Sequence, residues 1–202
     1  MSSGSKDTET VILDAARKVF IRCGFDGTTM QMIADEAKIN KALLHYYYRS
    51  KDRLFEGVFT EAFSKLAPKL QQILVADKPF LDKIGIFVES YISTLQEVPE
   101  IPIFILHELS RNPQKVVEHV SKSGIDPAYF VTMVDLEIRQ GNIREIDPLQ
   151  LLVNLLAMCI FPFAARPLLQ GFIFKNDEKK FNLFLEKRKT AVTEFIINSI
   201  KK

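Results

Sequence analysis

The stretch from Lys38 to Arg53 holds Lys38, Lys41, Arg49, Lys51 and Arg53 against Asp52 alone, and it also contains His45, Tyr46, Tyr47 and Tyr48. Basic side chains interleaved with aromatics suit contact with phosphates and bases. A solvated basic face backed by buried tyrosines would have the same composition, so charge alone does not decide between them. Across the whole chain 27 Lys and Arg oppose 25 Asp and Glu, a formal net charge of +2. Residues 1–55 carry nine basic and seven acidic side chains, so the entire excess lies in the first quarter of the sequence. The other reactive side chains are scattered. His45, His107 and His119 stand apart. Glu108 and Glu118 adjoin two of them, but neighbours along a helix point away from one another. Cys23 and Cys159 have no metal or redox spacing, and no Gly-rich phosphate loop or nucleophile elbow is present. The pattern predicts a protein that is not an enzyme and needs no cofactor or metal.

The elements that must position the basic window are helical throughout. Apolar residues at Ile12, Ala15, Ala16, Val19, Phe20 and Cys23 repeat at helical spacing and stop at Gly24. Thr29 can cap a short helix over Met30–Ala37, Asn40 a third to about Tyr47, and Ser50 a fourth that reaches at least Leu66, where Pro68 would kink or end it. Further helices are predicted over Lys78–Val98, Ile103–Ser110 and from Pro113 towards Gly124. Asp126-Pro127 and Asp147-Pro148 are cap-plus-first-turn signals for two more, and a last helix spans about Asp177 to Ile200. No strand alternation or internal repeat is visible, so the fold class is all-α. With 47% hydrophobic and 26% charged residues, 202 residues can bury one large core or two small ones.

Thr29 to Tyr48 reads as helix, short turn, helix within a three-helix unit, the spacing of a helix-turn-helix. If Ile39, Leu44 and Tyr48 face the small core, then Lys41, Ala42, Leu43, His45 and Tyr46 face outward, where Leu43 suits a thymine methyl. A different phase would make Leu43 core. The segments Gly24-Phe25-Asp26-Gly27-Thr28-Thr29-Met30-Gln31-Met32-Ile33-Ala34 and Ile39-Asn40-Lys41-Ala42-Leu43-Leu44-His45-Tyr46-Tyr47-Tyr48-Arg49-Ser50-Lys51 resemble the TetR family of bacterial transcriptional repressors. The resemblance covers about residues 8–56. It implies phosphate contacts at Thr29, Tyr46, Tyr47 and Lys51, and base reading by Gln31, Lys41, Ala42 and Leu43, with His45 at the margin. Two positions depart from the family pattern: Lys38 stands where a glycine is usual, and Arg49 where a proline is common.

The same resemblance implies a helix-turn-helix DNA-binding domain over residues 1–56 and a ligand-binding and dimerisation domain over residues 57–202. The uncharged helix after Asp147 and the apolar residues Phe181, Phe184, Leu185, Val192, Phe195, Ile196 and Ile200 offer surface for a two-fold dimer. Phe87, Tyr91, Phe104, Phe130, Met133 and Met158 could line a cavity for a small hydrophobic or aromatic ligand, with His107 or Glu108 at its polar end. A filled aromatic core would use the same residues. The function expected is a ligand-responsive repressor that binds a palindromic double-stranded DNA operator as a homodimer. The alternative is a ligand-independent DNA-binding protein acting in nucleoid organisation or through a protein partner. Pro148 to Ala165 is uncharged, but Gln150, Asn154 and Pro162 interrupt it, and a buried or interface helix is expected there rather than a membrane span. The polar start, Met1 to Glu9, has no signal-peptide core. A cytoplasmic, nucleoid-associated protein is the expectation.

Overall fold

In the computed structural model, which describes residues 3–99 and 101–202, the described residues are helical and contain no strand. The helices are α1 (Ser3–Gly27), α2 (Met30–Glu36), α3 (Lys41–Tyr47), α4 (Lys51–Val75), α5 (Phe80–Glu97), α6 (Ile101–Arg111), α7 (Pro113–Lys122), α8 (Pro127–Arg139), α9 (Pro148–Ala164), α10 (Arg166–Leu168) and α11 (Glu178–Ile200). They sort into two packing units: residues up to Ser64 with Ile103–Ser123, and Lys65–Pro102 with Gly124–Lys202. This grouping differs from a division at residue 56, because Phe104 of α6 and Val116 of α7 are buried in the first unit's core.

That core is built from the apolar faces of α1, α2 and α3 with the start of α4: Ile12, Ala16, Val19, Phe20, Ile33, Ala34, Leu44, Leu54, Phe55 and Phe59. Phe55 sits at its centre, with ring centroids 5.3 Å from Phe20, 5.3 Å from Phe59 and 5.0 Å from Phe104. At Gly24 the backbone turns left-handed (φ 69°), which ends the regular part of α1 where the apolar spacing stops. In the second unit α5 packs against α9 and α11, and α8 against α9. Ile84, Val88, Tyr91 and Ile92 of α5 meet Leu151, Leu155 and Cys159 of α9 and Leu185, Val192 and Ile196 of α11 in one apolar core. Burial there pushes the Cys159 thiol up to about 12.

Two local expectations change. The fourth helix continues through Pro68 to Val75. Ser64 and Pro68 are exposed, so water can satisfy the carbonyl that the proline leaves unpaired. Between α9 and α11, where the sequence predicts no element, α10 leads into a π-helical turn over Leu169–Ile173. Pro167 sets its first turn, and left-handed Lys175 and Asn176 close it. No single helix among the described residues is long and apolar enough to cross a membrane; α9 reaches that length only with Arg166–Ile173, from which it is bent by 58°.

Candidate DNA-binding surface

The helix-turn-helix is assembled by side-chain caps at the positions expected. Thr29 accepts the Met32 N–H at 3.2 Å, Asn40 accepts that of Leu43 at 2.7 Å, and Ser50 accepts that of Arg53 at 3.2 Å. Each cap fixes where its helix begins, and therefore which face turns inward. Lys38 adopts φ 55° in the turn, the left-handed backbone for which glycine is the easier residue. Its side chain is exposed, so the strain of the turn is not compounded by packing.

With these caps α3 buries Leu44 completely, while Ile39 and Tyr48 pack half-buried against the core. Lys41, Ala42 and His45 are exposed, Leu43 is half-buried, and Tyr46 is 81% exposed. Tyr47 is half-buried and meets the Tyr46 ring edge-on at 5.5 Å. Thr29 and Gln31 of the preceding helix are also exposed, and the Gln31 amide donates to Asp35 Oδ1 at 2.8 Å. The first unit thus presents a lysine, an imidazole, an amide and a phenol beside two helix N-termini, which is chemistry suited to phosphates and base edges. At the rear of α3 the Tyr48 hydroxyl donates to Glu9 at 2.9 Å, and burial together with that carboxylate pushes the phenol well up from its ordinary value.

Lys51 is placed differently from the other expected DNA contacts. Its ammonium donates to the carbonyls of Phe25 at 2.8 Å and Thr28 at 2.9 Å, reaches that of Asp26 at 3.5 Å, and lies 4.4 Å from the centre of the Phe25 ring. Two further cations of this region, Arg111 and Lys115, are not singled out by the sequence. Phe25 receives a second ammonium, Lys115 of α7, at 5.1 Å. Lys115 also pairs with Asp52 at 2.8 Å and holds that carboxyl below the usual range, and Arg111 of α6 pairs with Asp26. Between 63 and 85 positions separate the paired residues, too far apart for any local pattern to reveal them.

The residues expected around a ligand are drawn from both units. Phe104, His107 and Glu108 belong to the first unit, whereas Phe87, Tyr91, Phe130, Met133 and Met158 belong to the second. Phe104 is 2% exposed among Phe20, Phe55 and Phe59, so it fills the core beneath the helix-turn-helix. His107 is exposed. In the second unit Phe87 stacks on Tyr91 at 5.4 Å, Phe130 packs 6.4 Å from Phe80, and the Met158 carbonyl accepts from Arg188. Met133 lines a cleft of about 530 Å³ with Phe80, Lys83 and Tyr129. No group of three or more His, Cys, Asp or Glu among the described residues is arranged to hold a metal ion.

Glu108 is 2% exposed, and burial pushes its carboxyl above the ordinary value of 4.5, against the opposing pull of Arg111 and Lys115. The folded chain therefore holds this proton more tightly than the unfolded chain does. Stability associated with Glu108 is fullest below its unfolded-state value and is lost as pH rises from there through the folded-state value. Urea titrations at pH 4.5 and pH 7 should show a smaller loss for Glu108→Gln than for the parent. Equal losses would assign the pH dependence to other groups.

An all-helical chain with a capped helix-turn-helix and a larger helical unit has the architecture of helix-turn-helix transcriptional regulators. Residues 12–58 match the family described as bacterial regulatory proteins, tetR family. The uncharacterized HTH-type transcriptional regulator YhgD of Bacillus subtilis is 25% identical over 150 residues, 71% of this chain and 76% of that protein. The HTH-type transcriptional repressor NicS of Pseudomonas putida is 33% identical over 87 residues, 42% of this chain and 41% of that one. A solved structure of a candidate fatty acid metabolism regulator from Clostridium perfringens superposes with a TM-score of 0.75 at 21% identity, covering 95% of this chain and 99% of the other. The match to the tetR family thus falls on the segment that forms the helix-turn-helix and the start of α4.

Proposed function

We propose that this regulator is a repressor that binds a palindromic operator as a homodimer and releases it when a small hydrophobic or aromatic molecule binds. The observation that carries the DNA half of this reading is the phase of α3, which buries Leu44 and leaves Lys41, Ala42, His45 and Tyr46 free. In this reading Lys41 and Gln31 read base edges, Ala42 and Leu43 meet apolar groups in the major groove with His45 beside them, and Thr29, Tyr46 and Tyr47 meet phosphates. Dimerisation is assigned to α9 and α11, and the ligand to the second unit, against Phe87, Tyr91, Phe130, Met133 and Met158. DNA contact lies within residues 1–56, and ligand and dimer contacts within 57–202.

Binding-site selection on genomic DNA with the purified chain should return an inverted repeat with half-site centres about 34–36 Å apart. On that operator Lys41→Ala should cost about 1–3 kcal/mol and relax preference at one position in each half-site. Selection that returns no sequence preference, or a Lys41→Ala variant with the parent's affinity and preference, would overturn the base-reading assignment.

A further inference from the structure

The turn joining α1 to α2 sets the height and direction at which α2 begins, and with them the positions of Thr29 and Gln31. Here the Thr28 N–H donates to the Phe25 carbonyl at 3.2 Å, and the buried Thr28 hydroxyl donates to the Gly24 carbonyl at 2.6 Å. Three cations from elsewhere in the first unit also bear on this segment. An ammonium has three donors and no acceptor, and that of Lys51 makes close hydrogen bonds to the carbonyls of Phe25 at 2.8 Å and Thr28 at 2.9 Å and a long one to that of Asp26 at 3.5 Å. A phosphate would compete with these carbonyls for it. The Phe25 ring carries two ammoniums, Lys51 at 4.4 Å and Lys115 at 5.1 Å, and a ring face attracts cations through its quadrupole. Arg111 pairs with Asp26 and lies against Gly24, where a Cβ would collide with its Nη1.

We infer that Lys51, Arg111 and Lys115 form a clamp on the Gly24–Thr28 turn, and that Lys51 and Lys115 are positioning residues for operator recognition, acting through the start of α2. This rests on the DNA-binding reading given above. Lys51 then contributes to operator affinity by holding the turn, not by neutralising a phosphate. Arg111 and Lys115, from helices distant in sequence, make the geometry of the helix-turn-helix depend on α6 and α7 remaining docked in the same unit. Displacement of α6 and α7 would loosen α2 and weaken specific binding with the face of α3 intact.

Salt dependence separates clamping from phosphate contact, and sequence discrimination separates positioning from a general loss of fold. Affinities of the parent, Lys115→Gln and Lys51→Met would be measured across a KCl series for the selected operator and for random-sequence duplex. Each variant is expected to bind the operator about tenfold more weakly, the scale of removing a cation–π interaction and its hydrogen bonds. Random duplex should be bound nearly as before, so the ratio of specific to non-specific affinity falls, and the salt slope stays that of the parent. If Lys51 neutralises a phosphate, Lys51→Met instead lowers the slope by about 0.9 for each phosphate left without its cation, which overturns the clamp. A Lys115→Gln variant with the parent's affinity ratio overturns it as well. Should Lys51→Met fail to fold, Lys115→Gln decides the matter, because that side chain is 44% exposed and its removal leaves no buried group unpaired. A parent that binds no DNA defeats the underlying reading, whereas a parent that discriminates its operator beside unaltered variants defeats the clamp alone.

Discussion

Phe104→Ala should destabilise the first unit by about 3–5 kcal/mol, the cost of truncating a fully packed phenylalanine and leaving a cavity. Phe104 comes from α6, yet its ring lies 5.0 Å from Phe55, 5.2 Å from Phe59 and 6.3 Å from Phe20. Phe55 in turn follows directly on the residues that cap and start α4, so a cavity at Phe104 is a cavity beneath the helix-turn-helix. Hydrogen exchange should show the destabilisation in the amides of α1 to α3, with those of α5, α9 and α11 retaining the parent's protection. Ligand titration is the contrasting measurement. A Phe104→Ala chain of undiminished stability but weakened affinity for a hydrophobic effector would return Phe104 to a ligand site and take it out of the core.

How far the sequence reveals this arrangement depends on how local the determining physics is. Caps act over three residues, so Thr29, Asn40, Ser50, Asp126, Asp147 and Asp177 mark their helices directly, and each of these side chains accepts the first-turn N–H that its position implies. Apolar spacing is equally local: Ile12, Ala16, Val19 and Phe20 are buried, and Gly24 breaks the helix where the spacing ends. The phase of α3 follows from burying Leu44 and leaves Leu43 half-buried, between the two phases that its sequence context allows. Contacts made across the fold leave no such trace. An aromatic at position 104 has the same periodicity whether it fills one core or another, and the choice is made by which residues it meets, Phe20, Phe55 and Phe59. The family resemblance implies a phosphate contact at Lys51, and nothing in the local sequence reveals that its ammonium also reaches turn carbonyls 23 to 26 residues earlier. The π-helical turn is invisible for another reason: it is five residues long, and its closure depends on left-handed backbone at Lys175 and Asn176, which no periodicity encodes.

Val153→Asp combined with Phe195→Asp should turn the proposed dimer into a folded monomer, and operator affinity should fall by about 10²–10⁴-fold as the two readers cease to act together. The choice of residues follows from the two faces of each helix. Along α9 Leu151, Leu155 and Cys159 point into the protomer, whereas Leu149, Val153 and Phe161 are each more than half exposed. Along α11 Phe181, Leu185, Val192 and Ile196 point inward, whereas Leu183 and Phe195 are 55% and 60% exposed. Large apolar side chains repeating on the outer face of two adjoining helices are what a self-complementary two-fold interface requires. From sequence, Leu155 is a natural centre for that interface because it lies mid-helix in an uncharged run. The structure instead buries it fully within its own protomer, since it lies one helical turn from both Leu151 and Cys159 on the face that packs with α5 and α11. An Asp at Leu155 would therefore place an unpaired charge in the core and unfold the second unit, at a cost of several kcal/mol. The outward pair removes only intermolecular packing. Sedimentation should accordingly give twice the chain mass of 23.1 kDa for the parent and a single chain mass for the double variant, with the helical circular dichroism of the parent preserved. A parent that sediments as a single chain at micromolar concentration, or a double variant that remains a dimer, would remove α9 and α11 from the interface and leave their exposed apolar rows to be explained by another partner.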